Sequence, residues 1–342
     1  MNNLDRLFLY LNSHQFFIIC VLSIAFIFSL LISLSIGSYD ISLAQIYNNE
    51  LNDIAKSVFY QIRFPRVIFA AFVGCALSLS GACLQGLFRN PLADPGLIGV
   101  SAGAALGAAT IIVLGSDNIP DFLLGPYLIP LSAVAGAIFV IFLLYNFTNG
   151  FGNQGITYML LAGIAVNAIA GVAIGILTYI SNDAALRSLT FWTMGSFGGI
   201  TWQLAIPAII IIALNIIWIM QFARKLDIIQ LGESEAYRLG IDLKKLKFSV
   251  IISSAIIVGI SVSISGMIGF VGLIVPHLIR IIGGVNHNYL LPGSALAGAI
   301  LMVISDLISR IVVQPAELPI GLITSAIGSP FFLWLILKIK RI

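Results

Sequence analysis

Few side chains in this 342-residue chain can do chemistry, and their positions decide which chemistry is open to it. The run GFVGLIVPHLIR (269–280) closes an apolar stretch with Pro276, His277 and Arg280. A histidine there can ligate a metal or a haem iron, or it can mark the point where a membrane span meets water. His277 and Arg280 are three apart and share a helix face, which favours the span end. His14 and His287 fall in short end segments, read as solvated, and have no partner at metal-ligand spacing. Cys20, Cys75 and Cys83 all lie in apolar stretches. About 12 Å of helix rise separates Cys75 from Cys83, which excludes a disulfide, and no C-x-x-C pair occurs. No metal site and no cofactor are expected.

Energy coupling is equally constrained. A phosphate-binding loop needs a Gly-Lys pair, and the chain has no such dipeptide, so ATP-driven work requires a separate ATPase. An ion-coupled carrier places ionisable groups mid-membrane. Here Asp94 lies in a proline-flanked connection, and Asp306 lies near a span end with Arg310 at i+4, a spacing that permits an ion pair. A stand-alone secondary carrier or channel is the alternative class, weakened by this lack of mid-span carboxylates.

The elements that must position these residues are membrane helices. The chain is 59% hydrophobic and 9% charged, with a mean hydropathy of +1.07. Soluble domains carry roughly 25% charged residues, so there is too little charge here to coat a globule. A net charge of +3 with no basic run argues against nucleic acid. Ten candidate spans follow: 16–36, 67–87, 97–114, 126–145, 156–180, 203–221, 248–266, 268–283, 291–309 and 319–337. The third and eighth are short or glycine-broken. The first is too long for a signal-peptide core and reads as an uncleaved span. The polar blocks are too short for a separate domain, so residues 1–342 form a single transmembrane unit.

Orientation follows from lysine and arginine placement. With both termini in the cytoplasm, twelve of the 17 cations lie inside: Arg6, Arg89, Arg224, Lys225, Arg238, Lys244, Lys245, Lys247, Arg280, Lys338, Lys340 and Arg341. Lys56, Arg63, Arg66, Arg187 and Arg310 lie outside. VGCALSLSG (73–81) echoes VGISVSISG (258–266), and GAALGA (103–108) loosely echoes SALAGA (294–299). Taken as segments five spans apart that run in opposite directions, the echoes predict an inverted five-helix repeat.

Four stretches stand out. RFPR (63–66) sets two cations beside Pro65 at the outer entry to the second span, as an interfacial anchor or a charged docking point. QGLFRNPLADPGLIGVSAGAALGAA (85–109) turns at Pro91 and Pro95, then packs closely through small residues. LGESEAYRLGID (231–242), in the largest inner loop, predicts a short amphipathic helix carrying Glu233, Glu235 and Arg238 and capped by Gly240. RSLTFWTMGSFGGITWQ (187–203) offers Phe191, Trp192 and Met194 as an apolar, polarizable surface or as interfacial anchors.

From about residue 60 onward the chain resembles the permease subunits of bacterial type II ABC importers for iron-siderophore, haem and cobalamin. The resemblance is carried by RFPR, GLFRNPLADPGLIGVSAGAA, EAYRLG, GFVGLIVPHLIR, LLPGSALAGA and ELPIGLITSAIGSPFFLWLI, in that order. The LTFWTMGS wording looks most like the haemin-uptake branch, with siderophores and cobalamin as alternatives. The resemblance implies an all-α, ten-span subunit of the bacterial inner membrane. It also implies that the subunit works as a homodimer, performs no catalysis itself, and has its path between the two copies. Two cytoplasmic ATPase subunits and a periplasmic binding protein are the implied partners. Arg63, Arg66 and Arg310 match outer arginines that meet the binding protein. Glu233, Glu235, Ala236, Arg238 and Gly240 match a coupling helix that sits in a cleft on the ATPase.

Overall fold

A computed structural model describes residues 11–37, 39, 48, 52–118, 125–148 and 155–339. Of the cations used for orientation, Arg6, Lys340 and Arg341 lie outside these residues. Every regular element among the described residues is helical. In chain order they are α1 (Ser13–Ser35), α2 (Phe64–Phe88), α3 (Val100–Asn118), α4 (Leu128–Thr148), α5 (Gly155–Ile180), α6 (Asp183–Met194), α7 (Trp202–Met220), α8 (Ala223–Ile229), α9 (Glu233–Arg238), α10 (Leu243–Ser265), α11 (Val271–Gly283), α12 (His287–Ile311) and α13 (Ile320–Ile339). Seven apolar helical stretches are long enough to cross a membrane, and three shorter ones lie at Val100–Gly115, Val271–Gly283 and Ile320–Leu335. Each of the ten predicted spans coincides with one of these.

The boundaries depart from expectation before α2. Residues 37–64 fall between the first two predicted spans, yet Asp53–Ser57 is α-helical and Val58–Arg63 forms a π-helical turn that runs straight into α2. Asn52 starts it: its side chain accepts a hydrogen bond from Ala55 N at 2.7 Å. The third span also starts later than predicted. Asp94 Oδ1 accepts from Gly96 N at 2.7 Å and caps a 3₁₀ turn, Pro95–Ile98, ahead of α3.

Helix α2 is central. Nearly all of its residues are buried, and it packs against α12, α10, α11, α7 and α8. An apolar sequence all round is the requirement for such a position. Missing side chains set the packing distances. A Cβ at Gly74 would strike the carbonyl of Gly298, and one at Gly298 would strike Ser78 and the carbonyl of Gly74. The same exclusion holds between Gly81 of α2 and Gly272 of α11, and between Gly103 of α3 and Gly136 of α4. Lipid provides little hydrophobic drive for helix association, so such close backbone contacts carry it.

Helix pairings follow the order an inverted repeat requires. α2 packs on α12 as α10 packs on α4, α3 on α4 as α11 on α12, and α3 on α10 as α11 on α2. The first sequence echo, in α2 and α10, fits this correspondence. The second does not: GAALGA lies in α3 and SALAGA in α12, six spans apart rather than five. Both segments are small because both lie at close helix contacts, so the likeness reflects packing rather than repeat register.

Because Gly298 is locked between Gly74 and Ser78, Gly298→Ala is expected to lower stability by about 1–3 kcal/mol despite alanine's better helix propensity. Among the described residues nothing lies within 4 Å of a Cβ built at Gly175 of α5. Gly175→Ala should therefore be neutral or stabilising by up to about 1 kcal/mol. Thermal unfolding of the two variants in detergent checks the contrast.

Candidate functional site

α2 and α12 run antiparallel, so the start of α2 and the finish of α12 share one end of the bundle. Arg66, Asp306 and Arg310 meet there. Arg66 Nε donates to Asp306 Oδ1 at 2.8 Å, and Arg66 Nη1 donates to Glu317 Oε1 at 2.7 Å. Arg310 Nε lies 3.1 Å from Asp306 Oδ2, the i+4 pair that the sequence spacing permits. Arg310 Nη2 donates to Ser33 Oγ at 2.6 Å and to the Ser33 carbonyl at 3.1 Å, while Nη1 reaches the Ile36 carbonyl at 3.2 Å. Arg63 Nη1 donates to the carbonyls of Leu34 at 2.8 Å and Ser35 at 3.0 Å. Its Nη2 donates to the Tyr39 carbonyl at 2.8 Å.

These arginines do not project into water as the sequence reading of RFPR supposed. Arg63 and Arg66 are 5% exposed and Arg310 is 6% exposed. The reason is supply and demand of acceptors. The C-terminal carbonyls of α1 lack helical partners, and a guanidinium with five N–H donors can satisfy several at once. Gly37 leaves the room: a Cβ there would collide with the Arg63 guanidinium. Glu317, with its side chain 42% exposed, is the part of the cluster that faces outward. Its turn is fixed by Ser309 Oγ, which donates to the Leu318 carbonyl at 2.6 Å.

α9 lies toward the opposite end, in a two-helix connection, α8 and α9, between α7 and α10. Glu233 pairs with Lys247 of α10 at 2.8 Å, and Glu235 pairs with Arg238 at 3.1 Å. Ala236 is fully buried against the bundle. The amide of Gly240 donates to the Tyr237 carbonyl and that of Ile241 to the Ala236 carbonyl, which is the expected glycine cap. Gly240 takes a φ of +82°, open to glycine at little cost. Leu231, Tyr237 and Leu239 stand exposed around this helix, at 67%, 74% and 60%. Asp242 caps the following α10, and the Lys245 amide that it accepts holds its carboxyl below the usual range.

α6 is a short helix after the fifth span, with Asn182 Oδ1 accepting from Ala185 N at 2.8 Å. Phe191 and Met194 are exposed, and the Arg187 guanidinium lies 5.8 Å from the Phe191 ring centroid. Trp192 packs against the core instead. The end of α6 is held because glycines approach its carbonyls: a Cβ at Gly266 would meet that of Trp192, and one at Gly321 that of Met194. Beside it a cavity of about 380 Å³ is lined by Asp94, Ser101, Thr193, Met194, Met267 and Ser325, among others.

Of the histidines, His287 departs from expectation. His277 is half-buried and packs edge-on against Phe331 at 6.2 Å between centroids. His287 is not solvated: it is buried, and its Nδ1 lies 2.6 Å from Asp227 Oδ1. Sequence reasoning missed this pair because sixty residues separate its members and no local pattern links them. Among the described residues no group of three or more His, Cys, Asp or Glu side chains can hold a metal ion. The three cysteines are free thiols.

The architecture is that of a polytopic, all-helical permease, and residues 25–338 match the FecCD transport family. The chain belongs to that family and is an ABC permease. It is 44% identical over 323 residues to the hemin transport system permease protein HmuU of Yersinia pestis, covering 93% of this chain and 96% of that one. It is 41% identical over 282 residues to the vitamin B12 import system permease protein BtuC of Salmonella typhi, covering 82% and 84%. A solved inward-facing conformation of a metal-chelate type ABC transporter superposes with a TM-score of 0.85 at 34% identity, covering 94% of this chain and 99% of that one.

Asp306 is fully buried between two arginines. Asp306→Asn should leave uncompensated buried charge and lower stability by about 3–5 kcal/mol. Glu317→Gln, which touches a half-exposed pair, should cost less than about 1 kcal/mol. Thermal unfolding of both variants in one detergent tests the ranking.

Proposed function

We propose that this chain is the membrane subunit of an ATP-driven haem importer, working as two copies with the path between them. The supporting observation is the 44% identity to a hemin permease across nearly the whole of both chains. The site agrees in kind: Phe191 and Met194 give an exposed aromatic and a polarizable thioether beside a cavity that Met194 and Met267 also line. A flat macrocycle with a soft, apolar face is the cargo that such groups suit.

The reading sets the chain in a bacterial inner membrane with both termini cytoplasmic, so that α9 faces the cytoplasm and the arginine cluster the periplasm. Two ATPase subunits then receive α9, with Tyr237 and Leu239 as the apolar contact and Glu235 and Arg238 at the rim. The periplasmic binding protein docks at the end where Arg63, Arg66 and Arg310 lie. Since these arginines are turned inward, a carboxylate on the binding protein engages Arg66 by displacing Glu317, the exposed member of the cluster. ATP-driven closure of the ATPases moves α9 and alternates access to the path.

Reconstitution in vesicles with the cognate ATPase and binding protein tests this directly. Haemin uptake that requires both ATP and the ATPase is the expected result. Vitamin B12 or a ferric siderophore taken up in preference to haemin would overturn the substrate, and uptake without the ATPase would overturn the class.

A further inference from the structure

We infer that the Asp227–His287 pair is the contact through which movement of the α8–α9 segment is passed to α12, making His287 a positioning residue for coupled transport. The inference rests on the proposed role of α9 as the ATPase-facing helix.

α8 and α9 are short, seven and six residues, and join through a turn at Gln230–Gly232. Short helices hold little stability of their own, so they move as their attachments dictate. α8 has two side-chain attachments at its C-terminal end. Gln230 Nε2 donates to the Gly86 carbonyl at the end of α2, at 2.7 Å. Asp227 Oδ1 accepts both the His287 backbone amide, at 2.9 Å, and lies 2.6 Å from His287 Nδ1. That one oxygen therefore holds the first residue of α12 by main chain and side chain together. A carboxylate at a helix N-terminus is also favoured by the helix dipole.

The ring is held on one edge. With the carboxylate as acceptor, Nδ1 carries the proton, and Nε2 is buried without a hydrogen-bond partner among the described residues. Gly86 makes the ring's place, since a Cβ there would strike Nε2. The His287 side chain is 3% exposed and that of Asp227 is 33% exposed. A contact made by main chain and side chain together on one oxygen resists slippage, whereas the Glu233–Lys247 pair is a single side-chain contact that ties α9 only to the start of α10. Nineteen residues beyond His287, about 28 Å along the helix, α12 presents Asp306 to the arginine cluster. A displacement delivered at His287 is thus carried by one helix to the opposite end of the bundle.

The test uses the reconstituted complex and measures uptake and ATP hydrolysis in the same vesicles, with whichever of haemin, vitamin B12 or a ferric siderophore the wild type takes up. His287→Ala is expected to keep hydrolysis within about twofold while uptake per ATP falls about tenfold, the size of a modest coupling energy. His287→Asn sets an amide nitrogen where Nδ1 stands and should restore most of the ratio. Asp227→Asn keeps an acceptor oxygen but loses the charge, and should fall between; it carries the comparison if His287→Ala does not assemble. An unchanged ratio in His287→Ala, equal losses in the alanine and asparagine variants, or failure of every variant to assemble would overturn the inference. A wild-type chain that retains no ATPase would overturn the reading of α9, and the inference with it, before any variant is compared.

Discussion

The approach of α2 to α12 without an intervening side chain is the constraint on which the rest of the structure depends. Gly74, Ser78 and Gly298 bring the two backbones into contact at mid-helix. Because the helices are antiparallel, this seam also fixes what meets at each end. Arg66 is carried to Asp306 and Arg310 at one end, and Gly86 to His287 at the other. A seam opened by one methyl group would shift both clusters, since packed helices answer as rigid bodies.

Charge buried this deeply in a membrane chain needs complete pairing, because hydrocarbon supplies no alternative partner. The arginine end meets most of that demand with a carboxylate between two guanidiniums and with the open carbonyls at the end of α1, leaving Arg66 Nη2 buried without a hydrogen-bond partner among the described residues. The result ties three helices that lie far apart in sequence. α1 is held at its other end as well, where Gln15 Nε2 donates to the Gly283 carbonyl at 2.7 Å. A helix that buries few of its own residues is thereby fixed at both ends.

Much of this was legible in the sequence, and the reasons are physical. Spans show because hydrocarbon thickness demands a run of apolar residues, and all ten fell where helices stand. The cap of α9 showed because only glycine takes Gly240's conformation readily. The i+4 pair of Asp306 and Arg310 showed because helix geometry makes it local. What stayed hidden was long-range. Arg66 finds Glu317 and His287 finds Asp227 only after folding, so exposure was misjudged for RFPR and for His287. The π-helical lead into α2 was hidden for a different reason: the polar residues Asn52, Asp53, Lys56 and Ser57 just before it read as a loop, and its helicity comes from the Asn52 cap and from α2 behind it. The FecCD family is legible through several short motifs at once, each of which alone is an ordinary turn or packing stripe.

Movement of α2 and α12 as one body is the central mechanical claim, and spin-label distances measure it most directly. With Cys20, Cys75 and Cys83 replaced, one pair of labels at Arg89 and Val285 reports the histidine end, and a second at Ile62 and Val312 reports the arginine end; all four positions are exposed. Through a full nucleotide cycle of the assembled transporter both separations should stay fixed to within about 1–2 Å, the scale of small helix shifts at packed interfaces. A nucleotide-dependent change of several ångströms in either pair would show that the seam opens during transport and would contradict the account.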